Sequence, residues 1–152
     1  MNEARLNEFL GKMVGDLGAA ASAALVITGD KLGLYKTLAA EGPLTSEELA
    51  QRSGTTKRYV REWLAAQAAS GYVDFDSGQN KFSMSPEQAA VFADDDSAVN
   101  MTGGDYALAA VLKDEPKVTE AFRTGEGISW GDHDGCPSAA PRSSSSRATG
   151  RT

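Results

Sequence analysis

The chain has one cysteine, Cys136, and one histidine, His133, among its 152 residues. A lone cysteine excludes an internal disulfide framework, and one imidazole beside it leaves too few soft ligands for a protein-only zinc site. No apolar run is of membrane-spanning length. The longest near-apolar stretch, Gly18 to Ile27, is Ala-rich and too short to cross a bilayer. The opening residues, Met1 to Glu8, include Glu3, Arg5 and Glu8 and do not have the pattern of a signal peptide, so a cytoplasmic protein is expected. From Cys136 to Thr152 there is no Leu, Ile, Val, Met or aromatic residue. This Ser/Arg/Pro segment cannot bury enough surface to offset its ordering entropy, and residues 136–152 read as a disordered tail.

Positive charge is also scarce. Of the 15 Lys and Arg, three (Arg142, Arg147 and Arg151) lie in the tail. Residues 1–135 thus carry 12 basic groups against 21 acidic ones, a formal charge of −9. Such a body repels phosphate, whereas nucleic-acid binding relies on a basic surface.

What is present is mostly helical pattern. Leu6, Phe9, Leu10, Met13, Val14 and Leu17 recur at helical spacing and form one apolar stripe, opposite Asn7, Glu8, Lys12 and Asp16. Gly18 to Ile27 is small and apolar on all sides, which predicts a helix enclosed by protein. Because a short module has little mass to enclose it, a partner subunit is the expected cover, with an internal helix of a compact monomer as the alternative. Residues 1–31 therefore read as N-terminal dimerisation helices, with Phe9, Met13 and Leu17 as interface candidates.

Residues 32–93 follow the order of a winged helix-turn-helix. Leu34, Tyr35 and Leu38 form a short helix stopped at Gly42-Pro43. Thr45 and Glu48 form a capping box, Leu49 and Ala50 face the core, and Gly54 ends the second helix. Thr55 or Thr56 caps a third helix whose buried stripe is Val60, Trp63, Leu64 and Ala68. Tyr72 to Asp76 alternates, with Val73 and Phe75 inward. Ser77 to Asn80 is turn chemistry, and Lys81 to Met84 returns with Phe82 and Met84 inward, so this hairpin is the wing. Ser85, Pro86 and Gln88 start another helix, with Ala89 to Phe92 packing inward. Two more helices are expected, Ala98 to about Leu112 and Pro116 to about Arg123, followed by a glycine-rich loop from Gly125 to Gly135. Residues 94–135 thus read as a helical linker and loop. The fold class expected is mainly α, a winged helix-turn-helix with a two-stranded wing behind long N-terminal helices.

This order serves either DNA reading or the front end of an enzyme. Lys57, Arg58 and Arg61 on the third helix favour DNA, and a winged-helix transcriptional regulator is the alternative function. Against it, Glu62 interrupts that face, and the wing offers Asp74 and Asp76 against Lys81 alone.

The enzyme reading comes from resemblance. Leu6 to Ala20, Gly29 to Lys36, Leu44 to Ala50, Thr56 to Leu64 and Ser70 to Val73 resemble the N-terminal part of bacterial S-adenosylmethionine-dependent methyltransferases. The resemblance implies a winged-helix region ahead of a Rossmann-like cofactor domain. That region dimerises through its first helices and roofs the pocket of a small-molecule acceptor. The family's glycine-rich cofactor turn is not found in this sequence: Gly125-Glu126-Gly127 has no apolar strand before it and no third glycine. A truncated or frameshifted methyltransferase, with no activity and no S-adenosylmethionine binding by this chain alone, is therefore expected. The resemblance further implies that the glycine-rich loop lies near substrate. There Trp130 could stack on an aromatic acceptor and His133 could take a proton from a hydroxyl. The stronger reading of the residues themselves is that Trp130 covers a helix and His133 is a solvated imidazole between Asp132 and Asp134.

Overall fold

A computed structural model of the chain describes residues 1–133. The tail read from Cys136 onward lies outside the described residues. The chain divides into two compact units, residues 1–109 and 110–152.

The first unit opens with α1 (Glu3–Lys31), one continuous helix of 29 residues. The sequence reading expects more than one helix here. Nothing between Leu17 and Ala24 breaks the ladder, however, because Ala is the best helix former and offsets Gly18. Asn2 caps its start, accepting from the Arg5 amide at 3.1 Å. The expected enclosure of Gly18 to Ile27 is not met within one chain, where only Ala23 and Val26 of that stretch are buried. By length and composition alone, α1 is long and apolar enough to cross a membrane, which corrects the reading of Gly18 to Ile27 as a run too short to do so: the helix continues the apolar stretch on both sides.

The winged module follows as α2 (Leu34–Glu41), α3 (Ser46–Ser53), α4 (Lys57–Ala69), β1 (Asp74–Asp76), β2 (Lys81–Ser83) and α5 (Pro86–Phe92). Both expected capping boxes form. The Glu48 amide donates to Thr45 Oγ1 at 3.2 Å and the Thr45 amide to Glu48 Oε2 at 2.8 Å, and Ser85 and Gln88 repeat the exchange at 3.2 and 2.8 Å. Thr56 occupies the cap position of α4 but makes no side-chain cap bond. Gly54 ends α3 at φ +65°, the left-handed conformation that favours glycine.

The hairpin pairs Asp74 with Ser83, Phe75 with Phe82 and Asp76 with Lys81. Its turn contains Asn80 at φ +53°, tolerable for Asn. Leu44 joins as a third, single-residue rung, with amide-to-carbonyl bonds to Phe82 of 2.9 and 2.8 Å in the two directions. Phe75 corrects the alternation argument. It is 48% exposed and lies on the Phe82 ring at 4.6 Å instead of entering the core.

The core gathers Leu34, Tyr35, Leu38, Leu49, Leu64 and Val73, each at most 2% exposed. Each large apolar side chain there contributes about 1.5–3 kcal/mol by leaving water. Tyr35 is its hub, stacked on Phe92 at 5.0 Å and edge-on to Trp63 at 4.9 Å. The α4 stripe buries Val60, Trp63 and Leu64 as expected, but its fourth fully buried member is Gln67, not Ala68. Tyr35 Oη donates to Gln67 Oε1 at 2.5 Å, and Gln67 Nε2 has no partner among the described residues. Burial raises the Tyr35 phenol above its ordinary pKa. The Trp63 indole donates to the Leu25 carbonyl of α1 at 2.9 Å. Gly29 lets the α1 backbone lie directly against the Trp63 and Tyr35 rings.

Helix α6 (Thr102–Lys113) starts four residues later than expected. Asn100 instead makes a local turn, its side chain accepting from the Thr102 amide at 3.1 Å and hydroxyl at 2.6 Å. Within the first unit, Tyr106 Oη donates to Asp30 Oδ2 at 2.7 Å. That carboxylate pushes the Tyr106 phenol up to about 12. In the second unit, α7 (Glu115–Thr124) ends at Gly125, φ +76°, and a single 3-10 turn spans Trp130–Asp132.

Candidate functional site

Three surfaces could carry function. The first is the exposed side of α4 with the wing. Lys57 Nζ pairs with Glu47 at 2.7 Å and Arg61 Nη2 with Glu62 at 2.7 Å, so two of the three cations expected on this face are matched by neighbouring acids. In the wing, Asp76 accepts from the Gly78 amide at 2.8 Å and from Gln79, and Asp74 accepts from Gln88 at 3.3 Å. These acids hold the turn and brace α5. Exposed ion pairs are weak and exchange with solvent, but they set acidic groups beside two of the three cations of this face.

The second surface is the α1 stripe. Phe9 is 61%, Met13 41% and Leu17 65% exposed, and Leu10 and Val14 continue the same face. The three interface candidates lie one helical turn apart on a ridge that the chain itself leaves uncovered. An apolar face of this kind marks a place where another surface is meant to pack.

The third lies wholly in the second unit. Asp114, at the start of α7, is 3% exposed. Its Oδ1 accepts from Lys117 Nζ at 2.8 Å, and its Oδ2 is 2.7 Å from His133 Nδ1. Lys117 Nζ also donates to the Asp132 carbonyl at 2.6 Å. The glycine at 125 turns the chain, and these bonds lay the segment ending at His133 back along α7. His133 is therefore held by a buried carboxylate at Nδ1 and is not the solvated imidazole of the alternative reading. A carboxylate at Nδ1 holds the ring in one orientation, an arrangement used when a histidine handles protons. The spacing Asp114-x-x-Lys117 hints at this cluster, but Asp114 and His133 are 19 residues apart and no local pattern connects them. Trp130 falls on the 3-10 turn, and its side chain lies outside what is described.

Next to this cluster α6 and α7 enclose a groove of about 500 Å³ lined by Val111, Leu112, Val118 and Phe122 and edged by Glu115 and Arg123. Phe122 is 88% exposed and Val111 63%.

Among the described residues there is no cradle for a nucleotide-like cofactor. The strands present are β1 and β2, and β2 leads into α5 through Met84 and Ser85 without a glycine. A cofactor turn needs glycines where the backbone meets the ligand.

Comparison with known proteins agrees with this architecture. The family model described as the Rv2258c-like winged HTH domain matches residues 20–94. No curated protein sequence matches the chain. Solved structures do. The mitomycin 7-O-methyltransferase MmcR superposes with TM-score 0.62 and 24% identity, over 82% of this chain and 37% of that one. The dimethyltransferase RosA from Streptomyces davawensis, which acts on N,N-8-amino-8-demethyl-D-riboflavin by its description, gives 0.61 and 24%, over 83% and 35%. CalO1, a methyltransferase of calicheamicin biosynthesis solved in SAH-bound form, gives 0.60 and 22%, over 84% and 37%. The chain thus spans little more than a third of the length of these proteins. Residues 20–94, from the second half of α1 through the wing and α5, thus form a winged helix-turn-helix similar to the Rv2258c-like winged HTH domain.

Proposed function

We propose that the chain is the N-terminal, dimer-forming portion of an S-adenosylmethionine-dependent methyltransferase acting on a small molecule. The observation that carries this is the superposition of more than four-fifths of the chain on little more than a third of methyltransferases such as MmcR and RosA. In this reading the module contributes no cofactor cradle. It contributes the dimer, through Phe9, Met13 and Leu17 of α1, and part of the wall around the acceptor. S-adenosylmethionine supplies the methyl group in the complete enzyme, and the cradle for it is not among the described residues. Methyl transfer depends on holding donor and acceptor in line, so this chain by itself is inactive. His133, oriented by Asp114, would accept the proton of a hydroxyl acceptor, and Trp130 would offer a stacking surface.

A twin is a better cover for α1 than a bilayer. It covers the ridge alone and leaves Lys12 and Asp16, an ion pair at 2.6 Å, in water. A bilayer surrounds the helix and would have to take in charged side chains, at about 2.5–3.5 kcal/mol each near its centre.

Sedimentation equilibrium of the purified chain tests the reading, with twice the monomer mass as the expected result. In parallel, calorimetry with S-adenosylmethionine should give no binding heat. A monomer that binds duplex DNA with a steep salt dependence would overturn the reading in favour of a regulator.

A further inference from the structure

Asp114 opens α7 from the N-cap position, where an aspartate ordinarily accepts from an amide of the first helical turn. Here its side chain makes no cap bond. Its oxygens are turned elsewhere, Oδ1 to Lys117 Nζ at 2.8 Å and Oδ2 to His133 Nδ1 at 2.7 Å. One carboxylate, its side chain 4% exposed, thus serves an ammonium and an imidazole in place of the helix end. A buried carboxylate needs a charged partner. An imidazole supplies charge only when protonated, whereas a lysine carries it throughout the ordinary pH range.

Neutralising Asp114 would not require a second contact. Lys117 Nζ nevertheless also donates to the carbonyl of Asp132 at 2.6 Å, and Asp132 is the residue before His133. One ammonium group therefore fixes two things on which the imidazole depends: the rotation of the carboxylate that meets Nδ1, and the backbone from which the ring projects. Lys117 can reach Asp114 because the two are three residues apart on one helix face. The His133 side chain keeps 31% of its surface exposed, so the ring is held without being sealed from solvent.

We infer that Lys117 is the positioning residue of this cluster, aiming the His133 ring through Asp114 and through the chain at Asp132. This rests on the reading above in which His133 takes the acceptor's proton, and it names what keeps the ring in place for that step. The role asks for a compact cation with several N–H donors. Arginine keeps both properties, and alanine and methionine have neither.

Nitrogen-15 spectra of the full chain test it, and the single histidine makes the ring signals unambiguous. In mildly alkaline buffer an unheld imidazole exchanges its proton between the two nitrogens and their signals average. A ring donating from Nδ1 to a carboxylate keeps one protonated and one bare nitrogen. The unmodified chain and Lys117→Arg should both show the two distinct signals, with Nδ1 protonated. Lys117→Ala, which suits α7 because alanine is the best helix former, and Lys117→Met, which keeps the length of the side chain, should both show averaged signals while the α7 amide signals persist. An Ala or Met variant with the unmodified ring pattern overturns the inference, as does averaging in the unmodified chain. If both variants lose the α7 amide signals, Lys117 serves folding and the inference also fails. The readout needs no cofactor, acceptor or second copy. A monomeric chain would therefore defeat the proposed function and leave this result standing, and a ring indifferent to Lys117 would do the reverse.

Discussion

Replacing Gly29 with alanine puts two opposing effects of known size in competition. Alanine is the better helix former by about 0.8–1.0 kcal/mol, so on an open helix face the change stabilises. Gly29 is not on an open face. A Cβ at this position would overlap the Trp63 ring at Cζ2, and it would lie 2.7 Å from Tyr35 Cε2 and 2.9 Å from Trp63 Cε2. Neither ring can move freely. Trp63 is tied to the Leu25 carbonyl of the same helix at 2.9 Å, and Tyr35 is tied to Gln67 and stacked on Phe92. Relief therefore requires α1 to lift away from α4 or the indole bond to break. Overpacking in a filled core costs about 1–3 kcal/mol, and a lost hydrogen bond about 1 kcal/mol more. After subtracting the propensity gain, Gly29→Ala should destabilise by roughly 1–3 kcal/mol. The control is Gly15→Ala on the same helix, where an added Cβ meets nothing within 4 Å and propensity alone predicts a gain approaching 1 kcal/mol. Urea unfolding followed by circular dichroism reads both, at one protein concentration so that any dimer contributes equally. A Gly29→Ala chain as stable as the wild type would refute the close-packing argument for α1 on α4.

Other outcomes follow from the polar contacts. Tyr35→Phe removes the hydroxyl that donates to the buried Gln67 amide and should cost about 1–3 kcal/mol, and pairing it with Gln67→Leu should recover part of that loss in a double-mutant cycle. Thr45→Ala deletes a capping box on α3, an expected loss of about 1 kcal/mol visible as a lower urea midpoint. The backbone and hydroxyl of Thr45 hold the Glu48 carboxyl below its ordinary pKa. Its contribution is therefore present above the unfolded carboxylate range and lost as pH falls through the lower folded value, and Thr45→Ala should weaken this acid dependence. Tyr106 behaves in the opposite sense. Its folded value of about 12 lies above the ordinary phenol value of 10.0, so its bond to Asp30 stabilises fully below pH 10 and is lost as pH rises toward 12. Ultraviolet titration should show one late phenol in this range, and Asp30→Asn should bring it earlier. In the second unit, Asp114→Ala should increase amide exchange and protease cutting between Gly125 and His133, with the stability of the winged module unaffected.

The parts of the fold legible in the sequence were those fixed by neighbours in the chain. Thr45 with Glu48 and Ser85 with Gln88 are three residues apart, and both boxes formed as read. The parts that were not legible depend on distant partners. Leu44 joins the wing through Phe82, a rung that no pattern around Leu44 announces. Val60, Trp63, Leu64 and Gln67 keep helical spacing, yet a polar Gln67 does not read as a core residue. The period marks the position, and burial of a polar side chain there depends on Tyr35, a partner 32 residues away. Phe75 went wrong because alternation assumes a sheet with one dry face, and a three-residue strand at the tip of a wing has none. His133 was singled out for its chemistry. What orients it, a carboxylate buried at the head of α7, could come only from the folded chain. The three α1 candidates lie on one exposed ridge, which is what an interface requires, although their exposure does not by itself name the partner.

The distribution of burial along α1 yields a last test, because it separates folding from association. The first 18 residues are almost entirely exposed in the single chain. The helix enters the core only at Ala23, Val26 and Gly29, and the family match begins at residue 20. The hub of the module, Tyr35 with Trp63 and Phe92, does not touch the N-terminal half. Deleting residues 1–17 should therefore leave the module folded. The monomer loses a few exposed helical turns, and isolated helix of that length is marginal in water. Association is different, since the deletion removes Phe9, Met13 and Leu17 together. If a twin covers that ridge, the full chain should melt at a temperature that rises with protein concentration, as mass action requires, and the shortened chain should melt at one that does not. Equal concentration dependence in both would place the interface elsewhere. Loss of the cooperative transition on deletion would show that the N-terminal half of α1 is needed for folding, and that its exposed ridge cannot be read as a surface reserved for association.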